Sequence, residues 1–172
     1  MRRFAFFAPL AATLAVAGAG SAQPLAAGPD VHVTIGGDLT EAVETLGERD
    51  VLRQADELAG TVRRALARRG AFPGAQVNLV LMDLKPNRPT YQQVSDRPGL
   101  SMIDSISIGG AAIEGEIITA DGQRLPVRYA RFSNSIADVY GFGTWQDAER
   151  AYDRLASNLV AGRLVSGRPI SR

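Results

Sequence analysis

Apolar positions in the first half of the chain change from the period of a strand to that of a helix. Val31, Val33 and Ile35 alternate with polar residues and stop at a glycine pair, which predicts a short strand with one buried face. Residues 36–49 connect this strand to the next element. From Asp50 onward the apolar residues form one helical stripe: Val51, Leu52, Ala55, Leu58, Ala59, Val62, Ala65 and Leu66.

This stripe predicts an amphipathic helix. Asp50 is placed to cap its first N–H groups, and Gly70 is placed to end it. Acidic side chains come early and arginines late, which is the order that the helix dipole favours. The polar residues lie off the stripe and are expected on the solvated side of the helix: Arg53, Gln54, Asp56, Glu57, Arg63, Arg64 and Arg68.

Three further strands are predicted in the second half of the chain. The apolar run from Val77 to Leu84 is typical of a central strand. Residues 105–119 form a longer strand interrupted at Gly109-Gly110, where we expect a bulge or a close backbone approach. The last strand covers residues 124–132. Residues 85–103 and 133–143 are irregular connections, and loops of such length are functional, self-packed or disordered.

The turn between the last two strands allows two registers. A two-residue turn at Asp121-Gly122 would mix apolar and charged side chains on both faces of the hairpin. A three-residue loop from Ala120 to Gly122, with Gly122 left-handed, separates them. Glu114 then faces Arg128, and the other face is apolar: Ile113, Ile117, Leu125, Val127 and Tyr129. We adopt this second register.

A second helix is predicted from Thr144 to a stop at Gly162. Thr144 and Asp147 have the spacing of a capping box, and the apolar stripe consists of Trp145, Ala148, Tyr152, Leu155, Ala156 and Leu159. The fold class is therefore α+β: a mostly antiparallel four-stranded sheet in the order β-α-β-β-β-α, with two amphipathic helices packed on one face.

Strand direction predicts where a pocket can form. A helical crossover makes the first two strands parallel, and the next two strands then run down and up. The connections 36–49, 85–103 and 133–143 therefore meet at one end of the sheet. We expect any ligand pocket at this loop-rich end.

The N-terminal residues have the pattern of a secretory signal peptide. Arg2 and Arg3 precede an uncharged run, and small residues precede a cleavage site after Ala22. The uncharged run is too short to span a bilayer, and Pro9 with the glycines argues against the alternative of an anchor or a buried helix. The predicted division is a signal peptide at 1–22, a linker at 23–29, a single domain at 30–165 and a flexible tail at 166–172.

Composition restricts the cellular location of the protein and the kinds of chemistry that it can perform. The 172 residues contain 19 Lys and Arg, 18 Asp and Glu, and no cysteine. Removing the signal peptide removes two arginines, so the formal charge becomes 17 − 18 = −1, which disfavours nucleic-acid binding. Without cysteine there is no disulfide, no thiol chemistry and no acceptor for a lipid anchor. We therefore expect a protein of the periplasm, or one secreted beyond it, with no membrane anchor after cleavage.

The candidate chemistry is limited. The single histidine, His32, excludes multi-histidine metal sites, its position in a strand disfavours a Ser-His-Asp triad, and no cofactor is expected. At the loop-rich end, five side chains could stack on or form forked hydrogen bonds to a small polar ligand or an envelope partner: Arg88, Tyr91, Arg97, Tyr140 and Trp145. The alternative is that Tyr91 and Trp145 only pin the long loop to the second helix.

An enzymatic alternative rests on two carboxylates. Glu114 and Glu116 lie two residues apart on one strand face, as in hydrolases that act on saccharides or peptides through paired carboxylates. Arg124 and Arg128 on the neighbouring strand would explain the same glutamates as ion pairs. We therefore expect a non-enzymatic module that binds at the loop-rich end or associates through a sheet edge. A carboxylate-dependent hydrolase is the alternative.

Four stretches carry a family resemblance: Lys85–Thr90, Ile108–Ala112, the Ala120–Gly122 hairpin and the helix start Trp145–Ala148. Together they resemble a domain-of-unknown-function family of Gram-negative envelope proteins, over most of the chain that follows the signal peptide. Many members of that family are predicted lipoproteins, and this chain departs from them because it lacks the lipid-accepting cysteine. The resemblance implies export and the fold, and it supplies no catalytic residue.

Overall fold

The computed structural model describes residues 28–167. The predicted signal peptide, most of the 23–29 linker and residues 168–172 lie outside the described residues. In chain order the elements are β1 Asp30–Ile35, α1 Leu39–Leu46, α2 Glu48–Arg69, β2 Gln76–Lys85, α3 Tyr91–Asp96, β3 Gly110–Ile118, β4 Arg124–Phe132, a 3-10 turn Ile136–Asp138, α4 Gln146–Val160 and β5 Val165–Gly167. Within 28–167 no helix is both long and apolar enough to cross a bilayer.

The sheet is mixed and has five strands in the order β1-β2-β3-β4-β5. The α+β class is confirmed, but the prediction of a four-stranded, mostly antiparallel sheet is wrong in detail. β1 and β2 are parallel, β2-β3 and β3-β4 are antiparallel, and β5 adds a second parallel pair with β4. The predicted tail is wrong at Ser166 and Gly167, which belong to β5. A strand of three residues is too short to show a period in the sequence, so it could not be predicted.

The core lies between the sheet and the two long helices. α2 packs on α4 and β1, and α4 packs on β3 and β4. Helix α2 connects the parallel strands β1 and β2, and helix α4 connects the parallel strands β4 and β5. The two helices therefore run in the same direction across the sheet. The side chains buried from both layers include Leu58, Val62, Leu79, Ile113 and Tyr152. Two shorter helices occupy parts of the predicted connections: α1 lies in 36–49, and α3 lies in 85–103, which was predicted to be irregular.

The first long helix begins earlier than predicted. It starts after Gly47, whose φ of 93° turns the chain out of α1, and it ends at Gly70 in the left-handed conformation as expected. Asp50 does not cap the helix, because it already lies within the first turn, where its carboxylate accepts a hydrogen bond from Arg53 at 2.5 Å. The expectation that Gln54 is solvated is also wrong, since it is only 3% exposed.

The three-residue hairpin is confirmed. Ile113 lies opposite Tyr129 and Glu114 opposite Arg128. The Thr119 N–H donates to the Gln123 carbonyl at 2.9 Å, which closes the loop over residues 120–122. The preceding strand is shorter than predicted, because β3 begins only at Gly110. The expected bulge lies instead on the partner strand, between Leu81 and Asp83 of β2.

Candidate functional site at the loop-rich end

The long connections meet at one end of the sheet, as strand direction predicted. Residues 86–109 leave β2 and return into β3, and residues 133–145 lead from β4 into α4. The Asn87 N–H donates to the Thr144 carbonyl at 2.7 Å, and the Ser133 N–H donates to the Gly109 carbonyl at 3.0 Å. Backbone hydrogen bonds therefore join the two connections directly.

A buried pair of side chains fixes this end. Asn87 is 1% exposed, and its amide donates to the Asp147 carboxylate at 2.6 Å. Its amide oxygen accepts from the Asp147 backbone N–H at 2.8 Å. This two-way contact fastens the long 86–109 connection to the first turn of α4. We call it the Asn87–Asp147 clamp.

Further donors complete the clamp at Asp147. Ser133 Oγ donates to the carboxylate at 2.6 Å, and Arg150 Nη1 donates to it at 3.0 Å. Burial raises the pKa of Asp147, but the hydrogen bonds from Ser133, Asn87 and Arg150 outweigh burial and leave the pKa below its ordinary value. The predicted capping box is therefore wrong. The N-cap is Trp145. The Asp147 side chain accepts hydrogen bonds from Asn87 and Ser133 in the two connections and does not cap the helix.

Gly109 permits the clamp to close. An added Cβ at this position would lie 2.5 Å from the side-chain atoms of Asn87. The expected close backbone approach lies at Gly110, where an added Cβ would clash with the Arg131 carbonyl of β4, whereas Gly109 approaches a side chain of its own connection.

Arg88 organises the loops from inside. The residue is only 5% exposed. Its guanidinium donates to the Ile103 carbonyl and, at 3.5 Å, to the Gly141 carbonyl. It also lies 5.1 Å from the centroid of the Phe142 ring. Because these partners occupy its fork, Arg88 ties the 86–109 connection to the 133–145 connection.

The other four candidate residues fall into two groups. Trp145 is buried in the core, so its ring is not a free stacking surface, although its indole N–H has no hydrogen-bond partner. Tyr91 and Tyr140 are largely exposed, and Arg97 is exposed at the end of α3. Tyr91 therefore does not pin the loop to the helix, whereas Trp145 packs in the core under it. The structure leaves Tyr91, Arg97 and Tyr140 available to an external group.

A cavity of about 360 Å³ opens beside β2 and α3. Its wall is largely apolar, and it carries two cations, Lys85 and Arg97, and no carboxylate. The residues that line it are Lys85, Pro86, Pro89, Gln93, Arg97, Leu100, Ser105, Ile106, Ser107 and Ile108. Such a cavity suits an apolar group with a negative charge nearby.

Exposed apolar side chains are concentrated in the two long connections, and two of them, Ile106 and Ile108, line the cavity. Residues 28–167 expose ten large hydrophobic side chains, and only Leu52 and Val165 lie elsewhere. The other eight belong to the loop-rich end, with Phe142 the most exposed at 84%: Tyr91, Met102, Ile103, Ile106, Ile108, Ile136, Tyr140 and Phe142. Through Arg88, Ile103 lies close to Gly141 and Phe142. We call these eight side chains the apolar rim.

The two glutamates of the enzymatic alternative lie on the sheet face away from the core. Glu114 contacts Arg128 at 3.0 Å, and Glu116 contacts Arg124 at 2.6 Å. Ion pairing thus accounts for both carboxylates. Within the described part of the chain, no group of three or more His, Asp or Glu side chains could hold a metal ion.

The comparisons with known proteins add no family. No protein-family model matches the chain, and a search of curated proteins finds no match. The resemblance to envelope proteins stays a prediction, and the geometry of the loop-rich end carries the functional argument.

Proposed function

We propose that this protein is an exported, non-enzymatic module of the cell envelope that binds a protein partner through its loop-rich end. The observation that carries this proposal is the apolar rim. A monomeric protein seldom gathers its exposed large apolar side chains at one place unless that place contacts another molecule.

The chemistry of the rim favours a protein segment over a small polar ligand. Arg88, the most obvious anchor for a polar ligand, already bonds two carbonyls and the Phe142 ring. The cavity offers an apolar wall with Arg97 beside it, whereas Lys85 already faces Asp83 at 3.6 Å and the Phe132 ring. A partner segment with an apolar side chain for the cavity and a nearby carboxylate complements both features.

A random peptide library displayed on phage tests this proposal. We expect the protein to enrich peptides that combine apolar and acidic residues. The variants Phe142→Ser and Ile103→Ser should lose these peptides while remaining folded by circular dichroism. The matched control Leu52→Ser removes an exposed apolar side chain from α2 and should retain them. Equal binding by Phe142→Ser, Ile103→Ser and the parent protein would contradict the proposal.

Export is a separate part of the proposal. When the full chain is expressed in a Gram-negative host, we expect it in the periplasmic fraction with Gln23 as its first residue. A control that begins with Met followed by Gln23 should stay in the cytoplasm. Recovery of the full chain from the cytoplasm with Met1 in place would overturn export without affecting the binding site.

A further inference from the structure

A second cavity, of about 440 Å³, lies on the helical side of the molecule. Arg53, Gln54 and Glu57 of α2 form one wall, and Glu149, Tyr152 and Asp153 of α4 form the other. The two helices run in the same direction, and both sets of residues lie in the N-terminal halves. We call this cavity the interhelical groove.

Two residues that line this groove bury a polar atom without a partner. Gln54 is 3% exposed and Tyr152 is fully buried, yet neither Gln54 Oε1 nor the Tyr152 hydroxyl has a hydrogen bond. Burying such atoms without a partner costs free energy, and native structures seldom leave them so. Gln54 Oε1 can only accept a hydrogen bond. The missing partner is therefore a donor.

The groove also carries negative charge that the protein does not neutralise. Arg53 is engaged with Asp50, and Glu57 with Arg64 at 3.1 Å. Glu149 and Asp153, one helical turn apart on α4, have no ion pair among the described residues. The helix dipole accounts for an acid such as Glu149 in the first turn of α4. It does not account for the unpartnered Gln54 and Tyr152 atoms.

Tyr152 is suited to serve as an uncharged partner. Burial raises the pKa of its hydroxyl, and the carboxylates of Glu149 and Glu57 raise it further. The hydroxyl therefore keeps its proton. It can accept a hydrogen bond from a bound N–H group and donate one of its own.

We propose that the interhelical groove binds an organic cation with several N–H donors, namely an ammonium or guanidinium group. Its N–H groups would satisfy Gln54 Oε1 and the Tyr152 hydroxyl, and its charge would face Glu149 and Asp153. A metal ion is disfavoured because these carboxylates do not converge as a ligand group among residues 28–167. An anion would be repelled by them. The cation is either a free amine or a basic side chain of a partner.

Isothermal titration of the protein with four probes tests this site. Agmatine and spermidine represent free amines, acetyl-Gly-Arg-Gly-amide represents a basic side chain, and tetramethylammonium is a cation without N–H donors. At matched ionic strength we expect saturable binding of the N–H cations, with tetramethylammonium at least tenfold weaker. Binding of the free amines identifies a small ligand, and binding of the peptide alone identifies a partner side chain. Equal affinity for tetramethylammonium would overturn the proposal.

Two variants remove the unpartnered atoms. Gln54→Leu and Tyr152→Phe should each weaken binding about tenfold or more, since each loses a hydrogen bond to a charged group. Both should leave the urea midpoint of unfolding unchanged or higher, because no intramolecular hydrogen bond is lost. The matched control Tyr91→Phe, at the loop-rich end, should bind as the parent protein does. Parental affinity in both groove variants, or no saturable binding of any N–H cation, would refute the site and leave the apolar rim untouched.

Discussion

Asp147 shows how one carboxylate can hold a loop-rich end together. It is nearly fully buried and accepts hydrogen bonds from Asn87, Ser133 and Arg150. These bonds favour the charged form. The carboxylate therefore stabilises the folded protein at neutral pH and stops doing so once it is protonated.

The variant Asp147→Asn should lower the free energy of unfolding at pH 7 by about 1.5–3 kcal/mol, the range for hydrogen bonds to a charged group. The folded-state pKa of Asp147 is lowered, so its contribution is complete above the unfolded pKa of about 3.9 and is lost as the pH falls through the folded value. Urea unfolding of both proteins from pH 7 to pH 2 should show the difference shrinking below about pH 4. A difference that is constant across this range would show that charge has no part in the clamp.

A second prediction for a single residue concerns the space around Gly109. The added methyl group of Gly109→Ala would lie 2.5 Å from the side chain of Asn87, which the clamp holds in place. We expect a loss of about 1–3 kcal/mol, as for other overpacked sites. In an Asn87→Ala background the space is open, so the same substitution should cost far less. Chemical unfolding of the four proteins gives the coupling energy, and simple additivity would argue against this clash.

In the hairpin, packing of the apolar face already determines the register, and two exposed ion pairs on the other face are compatible with it. Glu114 and Arg128 lie directly opposite each other at 3.0 Å, and both are partly in solvent. A double-mutant cycle with Glu114→Gln and Arg128→Gln should give a coupling energy of about 0–1 kcal/mol, because surface pairs are weak. The cycle Glu116→Gln with Arg124→Gln is the matched comparison. A coupling of several kcal/mol in either cycle would mean that the pair is shielded from water.

Elements with a sustained apolar period could be predicted from the sequence, whereas short elements could not. The stripe of α2 and the alternation in the hairpin identified both. Helix α3 has only six residues, and its one signal is the capping box that Thr90 and Gln93 form in the structure. Strand β5 has three residues and depends on the neighbouring edge of β4. Local pattern carries little information about such elements.

The functional residues were predicted only in part, because the local pattern also carries little information about contacts between distant segments. Strand direction alone located the loop-rich end. The Asn87–Asp147 clamp joins positions 60 residues apart, and the periodicity of one sequence does not report such a pairing. Charge makes Arg88 a candidate in the sequence, but its burial depends on carbonyls in two distant segments. Gln54 lies off the apolar stripe of α2, yet it is buried on the side of α2 that faces α4.

For the molecule as a whole, β5 is the edge strand of the sheet and part of the folded domain. β5 pairs with β4, and the Asn158 amide on α4 donates to Ser166 Oγ at 2.8 Å. Truncation after Leu164 should therefore lower the free energy of unfolding by about 1–3 kcal/mol, since it removes a short ladder and a hydrogen bond at a sheet edge. Truncation after Gly167 is the control that subtracts any effect of the last five residues.

The same truncation should act locally, because the core between α2, α4 and the inner strands is unchanged. Hydrogen exchange measured by mass spectrometry should become faster in β4 and at the end of α4, with β2 still slow. Equal acceleration in every strand would show instead that β5 is required for the cooperative stability of the whole domain. If the two truncated proteins are equally stable, the pairing of β5 with β4 contributes nothing to the fold.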